Sequence, residues 1–469
     1  MAGVVPGTVM SGNALARRGP ARVRATARGY QCPSRRKIRT RMRTPVAASE
    51  VSGAPAGRTE RVVIVGGTGR VGGSTARALV DQASLRGRSV HVVLAGLEAN
   101  EEARALAAEL GRQCAGCDLA TVDYRDAAAL ARVVEGASCV VHTAGPFQRL
   151  ENTNVLEAAI AAGASYLDVC DDEAHSRLCR AKSAEAKAKG VRAMTSGGIY
   201  PGLSNLMARQ LTDLVKGGPG AGGEGSGDGG GEDAADSVRF SYFTAGTGGA
   251  GATILASSFL LCGEPVTAFK DGEPVVVPAM DGQRGVDFGK KVGRRSVHLL
   301  NLPEVRSVHE TLRVPSVSAR FGTNDLWNIG MVFVSKLPAS VLANRDAVAS
   351  LAKLLDPFVR AFDGLVGELT SIRVDMESRR GVKSSSVASF ASLRQSVGQC
   401  TALFVWPLLD EGVSPGVWFP EEDGGMSDAS RAAYLDAVAA YTINCQLKQS
   451  PWKIEGAAKQ LAMGLYFDI

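Results

Sequence analysis

The chain has 469 residues, enough for two or three domains, and its 45% hydrophobic and 21% charged residues are typical of globular proteins and exclude a disordered chain. The net charge of +6 comes from the N-terminal segment, because residues 1–49 hold eleven Lys or Arg and no Asp or Glu. The rest of the chain has a net charge of about −5. We therefore expect no nucleic acid partner, and no integral membrane segment either, since the longest apolar run, Ala252 to Cys262, is too short to cross a bilayer.

Residues 1–50 are predicted to be an organelle transit peptide. They are rich in Arg, Ala, Ser, Thr and Gly, and they lack the apolar core of a secretory signal. This composition favours the plastid stroma (chloroplast), with the mitochondrion as the alternative. The nine scattered cysteines indicate free thiols in a reducing compartment. Cys114 and Cys117 form a C-x-x-C, but no second pair or His cluster completes a zinc site, so we expect no metal.

Residues 61–73, RVVIVGGTGRVGG, are the most informative segment. The β-branched run predicts a buried parallel strand, a glycine turn follows, and STARALVDQ predicts a helix. Glycines spaced G-x-G-x-x-G in this context indicate a dinucleotide site with the pyrophosphate at the helix start, and an ordinary glycine-rich turn is the alternative. The predicted cofactor contacts here are Gly67, Thr68, Gly69, Arg70, Val71 and Gly72.

Strand and helix patterns alternate from residue 60 to residue 200. Repeated βα units of this kind predict an α/β fold, a Rossmann-type doubly wound parallel sheet, and we assign it to an NAD(P)-binding domain over 58–202. The predicted strands are 61–66, 89–95, 118–123, 138–143, 165–169 and 191–196.

The second half is predicted to be a mixed α/β substrate domain, residues 203–390, followed by a C-terminal helical segment, 391–469, that packs back on the core. The glycine-rich stretch 217–236 is predicted to be a disordered insertion. Strands are expected at VRFSYFT, EPVVVPA, RSVHLLN, ETLRVP and SIRVDMES, and helices at 340–364, 386–411 and 427–448. The glycine cluster from Gly246 to Gly251 is not a P-loop, because no Lys-Ser/Thr follows it.

In a dinucleotide fold the ligand lies beyond the carboxyl ends of the strands, which selects the candidate site residues. The second strand ends in Gly96, Leu97 and Glu98, where an acid is typical of NAD and a nearby Arg of NADP. Arg70 favours NADP. Asp123 ends the third strand and is a candidate for the adenine amino group or for a helix cap.

The fourth and fifth strands supply the next candidates. Thr143, Ala144, Gly145 and Pro146 follow the fourth strand and are predicted to pass beside the nicotinamide ribose, while His142 either faces a helix or titrates in catalysis. The fifth strand leads to three carboxylates, Asp168, Asp171 and Asp172. They either bind a substrate amine, or Asp171 or Asp172 caps the next helix.

The sixth strand runs into TSGGIYPGLSNLMARQL. Pro201 and Gly202 make a turn, and Ser204 or Asn205 is expected to cap the following helix, whose start would point N–H groups into the cleft. Tyr200 lies on the same turn, where it either donates a proton or packs.

Five motifs together resemble the saccharopine dehydrogenase-like oxidoreductases, in particular a plastid branch of plants and algae: VVIVGGTGRVGGSTARAL, VVHTAGPF, YLDVCDDEA, SGGIYPGLSNLMA and SPGVWFPEE. The resemblance spans roughly residues 60–465. It implies hydride chemistry at a carbon–nitrogen bond, cofactor contacts at the GxGxxG glycines, Gly145 and Pro146, and a substrate cleft that begins at Tyr200 to Leu203. Leu97 stands where family members often have Arg, which is a departure from the NADP pattern.

We therefore expect an NAD(P)-dependent oxidoreductase with NADP (or NAD) as cofactor and a small-molecule substrate, an imine or secondary amine. Tyr200 and Asp172 are the candidate catalytic acids. The alternatives are a reductase of a lipid-like or carbonyl substrate and a non-catalytic nucleotide-binding scaffold. The sequence leaves a homodimer open.

Overall fold

The computed structural model describes residues 58–216, 233–246, 251–455, 459–461 and 465–467. The predicted transit peptide, residues 1–50, lies outside the described residues, and so does most of the predicted insertion 217–236. No helix in the described ranges has both the length and the apolar character needed to cross a membrane.

The first sheet is built from strands whose two faces are both apolar. Val62 and Ile64 pack into one hydrophobic cluster and Val63 and Val65 into another, as expected for a strand covered by helices on both sides. Its first six strands are β1 Thr59–Val65, β2 Ser89–Gly96, β3 Gly116–Thr121, β4 Cys139–His142, β5 Ser165–Asp168 and β6 Arg192–Met194.

The connecting helices lie on the two faces of this sheet. Side chains of α1 and α2 join one hydrophobic cluster, and side chains of α3 to α6 join the other. These helices are α1 Arg70–Leu85, α2 Glu101–Leu110, α3 Ala127–Val134, α4 Asn154–Ala162, α5 Glu173–Ala181 and α6 Ser183–Ala188. All strand pairs are parallel, which confirms the predicted doubly wound sheet.

The second sheet is mixed. The strand order is β10-β11-β12-β7-β13-β14-β16, and β8 and β9 are attached through β12. Strands β7 and β12 pair in parallel, and the other pairs are antiparallel. Its strands are β7 Ala235–Ala245, β8 Val266–Lys270, β9 Glu273–Val277, β10 Arg284–Asp287, β11 Arg294–Leu299, β12 Ser316–Gly322, β13 Leu369–Ser378, β14 Lys383–Phe390 and β16 Asn444–Gln449. This sheet confirms a second, mixed α/β unit.

The remaining elements cover the second sheet or return to the first. The helices are α7 Leu203–Asp213, α8 Gly251–Cys262, α9 Pro303–Leu312, α10 Asp325–Val334, α11 Ala339–Leu342, α12 Arg345–Val366, α13 Leu393–Leu409, α14 Asp428–Ala439 and α15 Pro451–Ile454. The last strands are β15 Gly416–Trp418, β17 Lys459–Leu461 and β18 Leu465–Phe467.

One predicted strand is wrong, and two predicted helices are correct in part but too long. The ETLRVP segment is largely the end of helix α9 instead of a strand, and residues 386–390 belong to strand β14 instead of a helix. The predicted helix 427–448 ends at Ala439, and its last part is strand β16. In each case a segment with mixed propensity takes the structure that its tertiary partner offers.

Two elements from the C-terminal part complete the dinucleotide-binding sheet. Strand β15 pairs in parallel with β6 and becomes the edge strand. Helix α13 packs on α1 so closely that a Cβ on Gly398 would lie 2.6 Å from the Ser74 carbonyl carbon. Trp406 Nε1 donates to Gln82 Oε1 at 2.8 Å across the same contact. The two sheets therefore share one continuous packed interior.

Candidate active site

The turn between β1 and α1 has no room for side chains at Gly67 and Gly72. A Cβ on Gly72 would lie 2.3 Å from Gly66 O, and a Cβ on Gly67 would lie 2.7 Å from Ile64 O. Gly69 is the N-cap of α1, no side chain caps the helix, and its first turn holds no acidic residue. Gly66, Gly67 and Gly69 donate their N–H groups to backbone carbonyls, so the N–H groups at the start of α1 and the positive end of its dipole are the part of the turn that suits a pyrophosphate.

The adjoining ends of β2 and β3 show where three other predicted residues lie. A Cβ on Gly96 would lie 2.1 Å from Thr68 Oγ1, so the threonine side chain covers the end of β2. Asp123 accepts hydrogen bonds from the backbone N–H and the Nε of Arg125, which lower its pKa. Asp126, and not Asp123, caps α3. Contacts of Asp123 and Arg70 with a cofactor remain predictions.

The end of β4 lies against the glycine turn. Thr143 donates through both its backbone N–H and its hydroxyl to Val65 O, and a Cβ on Gly66 would lie 2.6 Å from Ala144 N. The following Gly145–Pro146 peptide bond is cis. His142 is buried, and burial lowers its pKa to about 3, so this side chain is neutral and packs against the ring of Phe147.

The three carboxylates after β5 have three different environments. Asp168 is fully buried and accepts hydrogen bonds from Cys170 N, Ser196 N and the Thr195 hydroxyl, which ties the ends of β5 and β6 together. Asp172 Oδ1 accepts from His175 N at 2.7 Å and caps α5.

Asp171 is the carboxylate of this group that reaches the cleft. It lines the cavity, and burial raises its pKa to about 6. The Gln148 amide partly offsets this by lowering the pKa, and its own Oε1 accepts from the Ser257 hydroxyl at 3.2 Å.

The end of β6 presents Tyr200. Its hydroxyl shares a hydrogen bond with Thr244 Oγ1 at 2.9 Å, and Thr244 Oγ1 shares another with Thr370 Oγ1 at 3.0 Å. Its ring stacks on Tyr242 at 4.8 Å, and burial raises the pKa of the Tyr200 phenol. Gly202, with a φ of 127°, is the N-cap of α7, and Asn205 Oδ1 accepts from Gly202 N. The N-cap residue is therefore Gly202 and not Ser204 or Asn205, and Asn205 takes part in the cap from the third helical position.

A cavity of about 220 Å³ brings several of these residues together. Val71, Thr143, Gly145, Pro146 and Tyr200 were predicted and line it. Asp172 does not line it, because its side chain is held in the helix cap. Its catalytic role remains a prediction, and the neighbouring Asp171 lies in the better position.

One wall of the cavity comes from the second half of the chain, and its residues were not among the predicted site residues. Helix α8 supplies Ser257, Ser258 and Leu261, strand β7 supplies Thr244, and helix α13 supplies Leu393 and Val397. The sequence does mark Thr244 as a candidate, since it ends a predicted strand directly before a glycine cluster. No local pattern marks the helical residues, because their position depends on how the two sheets pack.

The residues present fit a nicotinamide dinucleotide. The start of α1 has no side-chain cap, the glycines before it keep side chains out of the way, and the cavity begins beside Val71 and Thr143 at the ends of the central strands. Ligands of doubly wound sheets bind where the strand order reverses, which here is between β1 and β4. Fold and site together define a nucleotide-dependent oxidoreductase.

Comparison with known proteins gives a match for the dinucleotide-binding part of the chain. Residues 62–194 match the family model of the saccharopine dehydrogenase NADP binding domain. This segment is therefore an NADP-binding domain of that type, which indicates an NADP-dependent oxidoreductase. A search of curated protein sequences gives no match.

The structure resembles solved structures of low sequence identity. Apo saccharopine dehydrogenase (L-Glu forming) from Saccharomyces cerevisiae has a TM-score of 0.57 at 13% identity, over 83% of this chain and 100% of that chain. At this identity the likeness concerns the fold. Leucoanthocyanidin reductase from Vitis vinifera (TM-score 0.22, 18% identity) and a short-chain dehydrogenase/reductase from Mycobacterium ulcerans (0.23, 17%) each match over 29% of this chain, and over 49% and 66% of their own.

Proposed function

We propose that the protein catalyses hydride transfer at a carbon–nitrogen bond, between NADP and an imine or secondary amine held in the 220 Å³ cavity. The observation that carries this proposal is the position of the cavity. It lies beyond the adjacent ends of β4, β5 and β6, and a carboxylate and a phenol face it from these ends.

The glycine turn is proposed to hold the pyrophosphate, with Gly69 and Gly72 as the positions that must lack side chains. Thr143, Gly145 and Pro146 are proposed to flank the nicotinamide end, because they connect the glycine turn to the cavity. Bound NADPH supplies the hydride, and reduction of a C=N bond then also consumes one proton.

Tyr200 is the proposed source of that proton. Its phenol faces the cavity, and its raised pKa keeps it protonated at neutral pH. Thr244 and Thr370 continue the hydrogen-bonded chain behind it and can reorient to return a proton to the phenolate. Asp171 is proposed to stabilise a positively charged substrate nitrogen.

The test is a fluorescence titration with NADPH, followed by an assay of NADPH oxidation with imines. Gly69→Asp places a negative charge at the proposed pyrophosphate site and is expected to weaken NADPH binding by tenfold or more, on the order of like-charge repulsion at a contact. Leu85→Asp adds the same charge at the exposed far end of α1, roughly 22 Å away along the helix, and is the matched control. Equal NADPH affinity of Gly69→Asp and the parent protein would contradict the site.

We also propose that residues 1–50 direct the protein to plastids, on the basis of their Arg-rich, acid-poor composition. Fusion of these residues to a fluorescent protein in plant cells tests this. Plastid fluorescence is expected, and mitochondrial fluorescence would favour the alternative organelle.

A further inference from the structure

The cavity contains little that could bind an anionic group. Its polar side chains are hydroxyls and one carboxylate: Thr143, Asp171, Tyr200, Thr244, Ser257 and Ser258. The rest of the described lining is apolar or glycine, from Val71 of the first sheet's helix to Phe321 of the second sheet. Among the lining residues that the structure describes there is no Lys, Arg or His.

The segment that carries Thr244 and α8 holds no cationic residue, and two arginines near the cavity are directed elsewhere. The sequence from Phe240 to Phe269 holds no Lys, Arg or His. Arg149 donates to the carbonyls of Leu342 and Ala343, and Arg345 donates to Pro146 O. Both guanidinium groups are thus directed at backbone oxygens of neighbouring loops.

The charged side chain that lines the cavity is a carboxylate, Asp171. Asp172 interacts with Asp171 electrostatically, and Glu264 interacts with both and, in the opposite sense, with Arg149, which does not line the cavity. A carboxylate brought into this apolar space would lose its hydration without gaining a cationic partner, which is strongly unfavourable. A protonated amine or iminium would gain Asp171 as its partner, and an apolar substituent would cover the aliphatic wall.

We infer that the substrate is a hydrophobic amine, or the iminium related to it, that carries no carboxylate, with Asp171 as the counter-charge for its nitrogen. This inference rests on the proposed function and names its substrate class. It separates this protein from enzymes that act on amino-acid adducts, since those substrates carry carboxylates that this cavity cannot neutralise.

The test uses calorimetric titration of the full chain, saturated with NADP⁺, with two probes that differ by one group. Phenethylamine has the amine and the ring, and phenylalanine adds the carboxylate. We expect phenethylamine to bind about thirtyfold more tightly or better, the size of effect expected when a buried charge has no partner. Asp171→Asn is expected to abolish this preference while the affinity for NADPH stays unchanged.

Asp126→Asn is the matched control. It makes the same chemical change at the N-cap of α3, Asn is an equally good helix cap, and the side chain does not line the cavity. Equal or tighter binding of phenylalanine, no binding of either probe, or unchanged phenethylamine affinity in Asp171→Asn would each overturn the inference. Loss of the proposed function has a different signature, because it would appear as failure to bind or oxidise NADPH whatever the amine titration shows.

Discussion

At the residue scale, burial sets the protonation of the two titratable groups that line the cavity, Tyr200 and Asp171. Desolvation raises the pKa of both Tyr200 and Asp171, but with different results at neutral pH. The Tyr200 phenol stays protonated at neutral pH, whereas the Asp171 carboxyl, with a pKa of about 6, is ionised. Tyr200 can therefore donate a proton while Asp171 carries a negative charge.

The Tyr200→Phe variant tests the first of these roles. Removal of the hydroxyl leaves the ring stacked on Tyr242, so the fold and the NADPH affinity are expected to persist. The kcat for imine reduction is expected to fall about 100-fold or more, the usual loss of a general acid. Thr244→Val, which removes only the hydrogen-bond partner of the phenol, is expected to give a smaller loss. Equal kcat values in Tyr200→Phe and the parent protein would show that the proton comes from elsewhere.

The pH dependence of amine binding tests the second role. Asp171 is protonated below its pKa of about 6, so affinity for phenethylamine is expected to be weak at pH 5 and to rise to a plateau by pH 7 to 8. Asp172, Glu264, Glu304 and Tyr200 also interact electrostatically with this region, so the profile is compared with that of Asp171→Asn. A variant profile that keeps the step near pH 6 would assign the titration to another group.

The sequence could place part of this site because backbone rules act locally. The glycine turn, Thr143 to Pro146 and Tyr200 follow from strand ends alone. The choice between Asp171 and Asp172 does not, because it depends on which carboxylate meets the start of α5. The contributions of Ser257 and Leu393 depend on packing between elements distant in sequence.

At the element scale, two buried carboxyls lie where α7, α9 and the segment after β15 meet. Tyr242 donates to Glu304 Oε1, and Asn205 donates to Glu421 Oε1 at 2.9 Å. Among the described residues, the second oxygen of each carboxyl has no hydrogen-bond partner. Burial, and the proximity of each to other carboxyls, raises the pKa of both to about 7.

This pair predicts a fall in stability with rising pH. The unfolded chain releases these protons near pH 4.5, and the folded chain keeps them until about pH 7. The folded state therefore binds more protons over this interval, so the stabilisation is complete below pH 4.5 and is lost as pH rises through 7. The double variant Glu304→Gln/Glu421→Gln keeps both accepted hydrogen bonds and is expected to flatten this slope in urea unfolding at pH 5 to 7.5. Glu98→Gln, at an exposed position, is the control, and an unaltered slope in the double variant would contradict the assignment.

The contact between α1 and α13 gives a second prediction at this scale. Gly398→Ala would place a methyl group 2.5 to 2.7 Å from Ser74 Oγ, C and O, and is expected to destabilise the protein by about 1–3 kcal/mol through overpacking. Gly330→Ala in helix α10 meets only Trp327 at 3.9 Å and is the control, with no loss expected. Thermal unfolding measures both, and equal melting temperatures for Gly398→Ala and the parent protein would be the contrary result.

Elements formed by local pattern were predictable, and elements defined by remote partners were not. The strands up to β6 follow from β-branched runs between alanine-rich helices. Strand β15 has three residues, Gly416–Trp418, and forms because β6 offers an unpaired edge. The segment around Glu310 resembles a strand in sequence, but in the structure it ends helix α9, whose Val305, Val308 and Leu312 are buried. Short segments take the structure that their neighbours stabilise.

At the scale of the whole molecule, the C-terminal part holds the dinucleotide-binding sheet together through Arg180. This side chain on α5 donates to Val417 O in β15 and to Glu422 Oε1 at 2.7 Å, and it lies over the rings of Trp418 and Phe419. Glu422 is largely buried, and its pKa is raised by desolvation although Arg180 lowers it. One arginine thus joins a chain segment more than 200 residues away to the first sheet.

Arg180→Ala is therefore expected to destabilise the whole protein by about 2–3 kcal/mol, because it leaves the Glu422 carboxyl and the Val417 carbonyl without their partner. Arg177→Ala, one turn away, removes only an exposed pair with Glu173 and is expected to change stability by less than about 0.5 kcal/mol. Urea unfolding followed by tryptophan fluorescence and circular dichroism measures both. If β15 is an integral strand of the sheet, both probes shift together in Arg180→Ala. A fluorescence change with an unshifted circular dichroism transition would mean that the C-terminal segment detaches without weakening the dinucleotide-binding sheet.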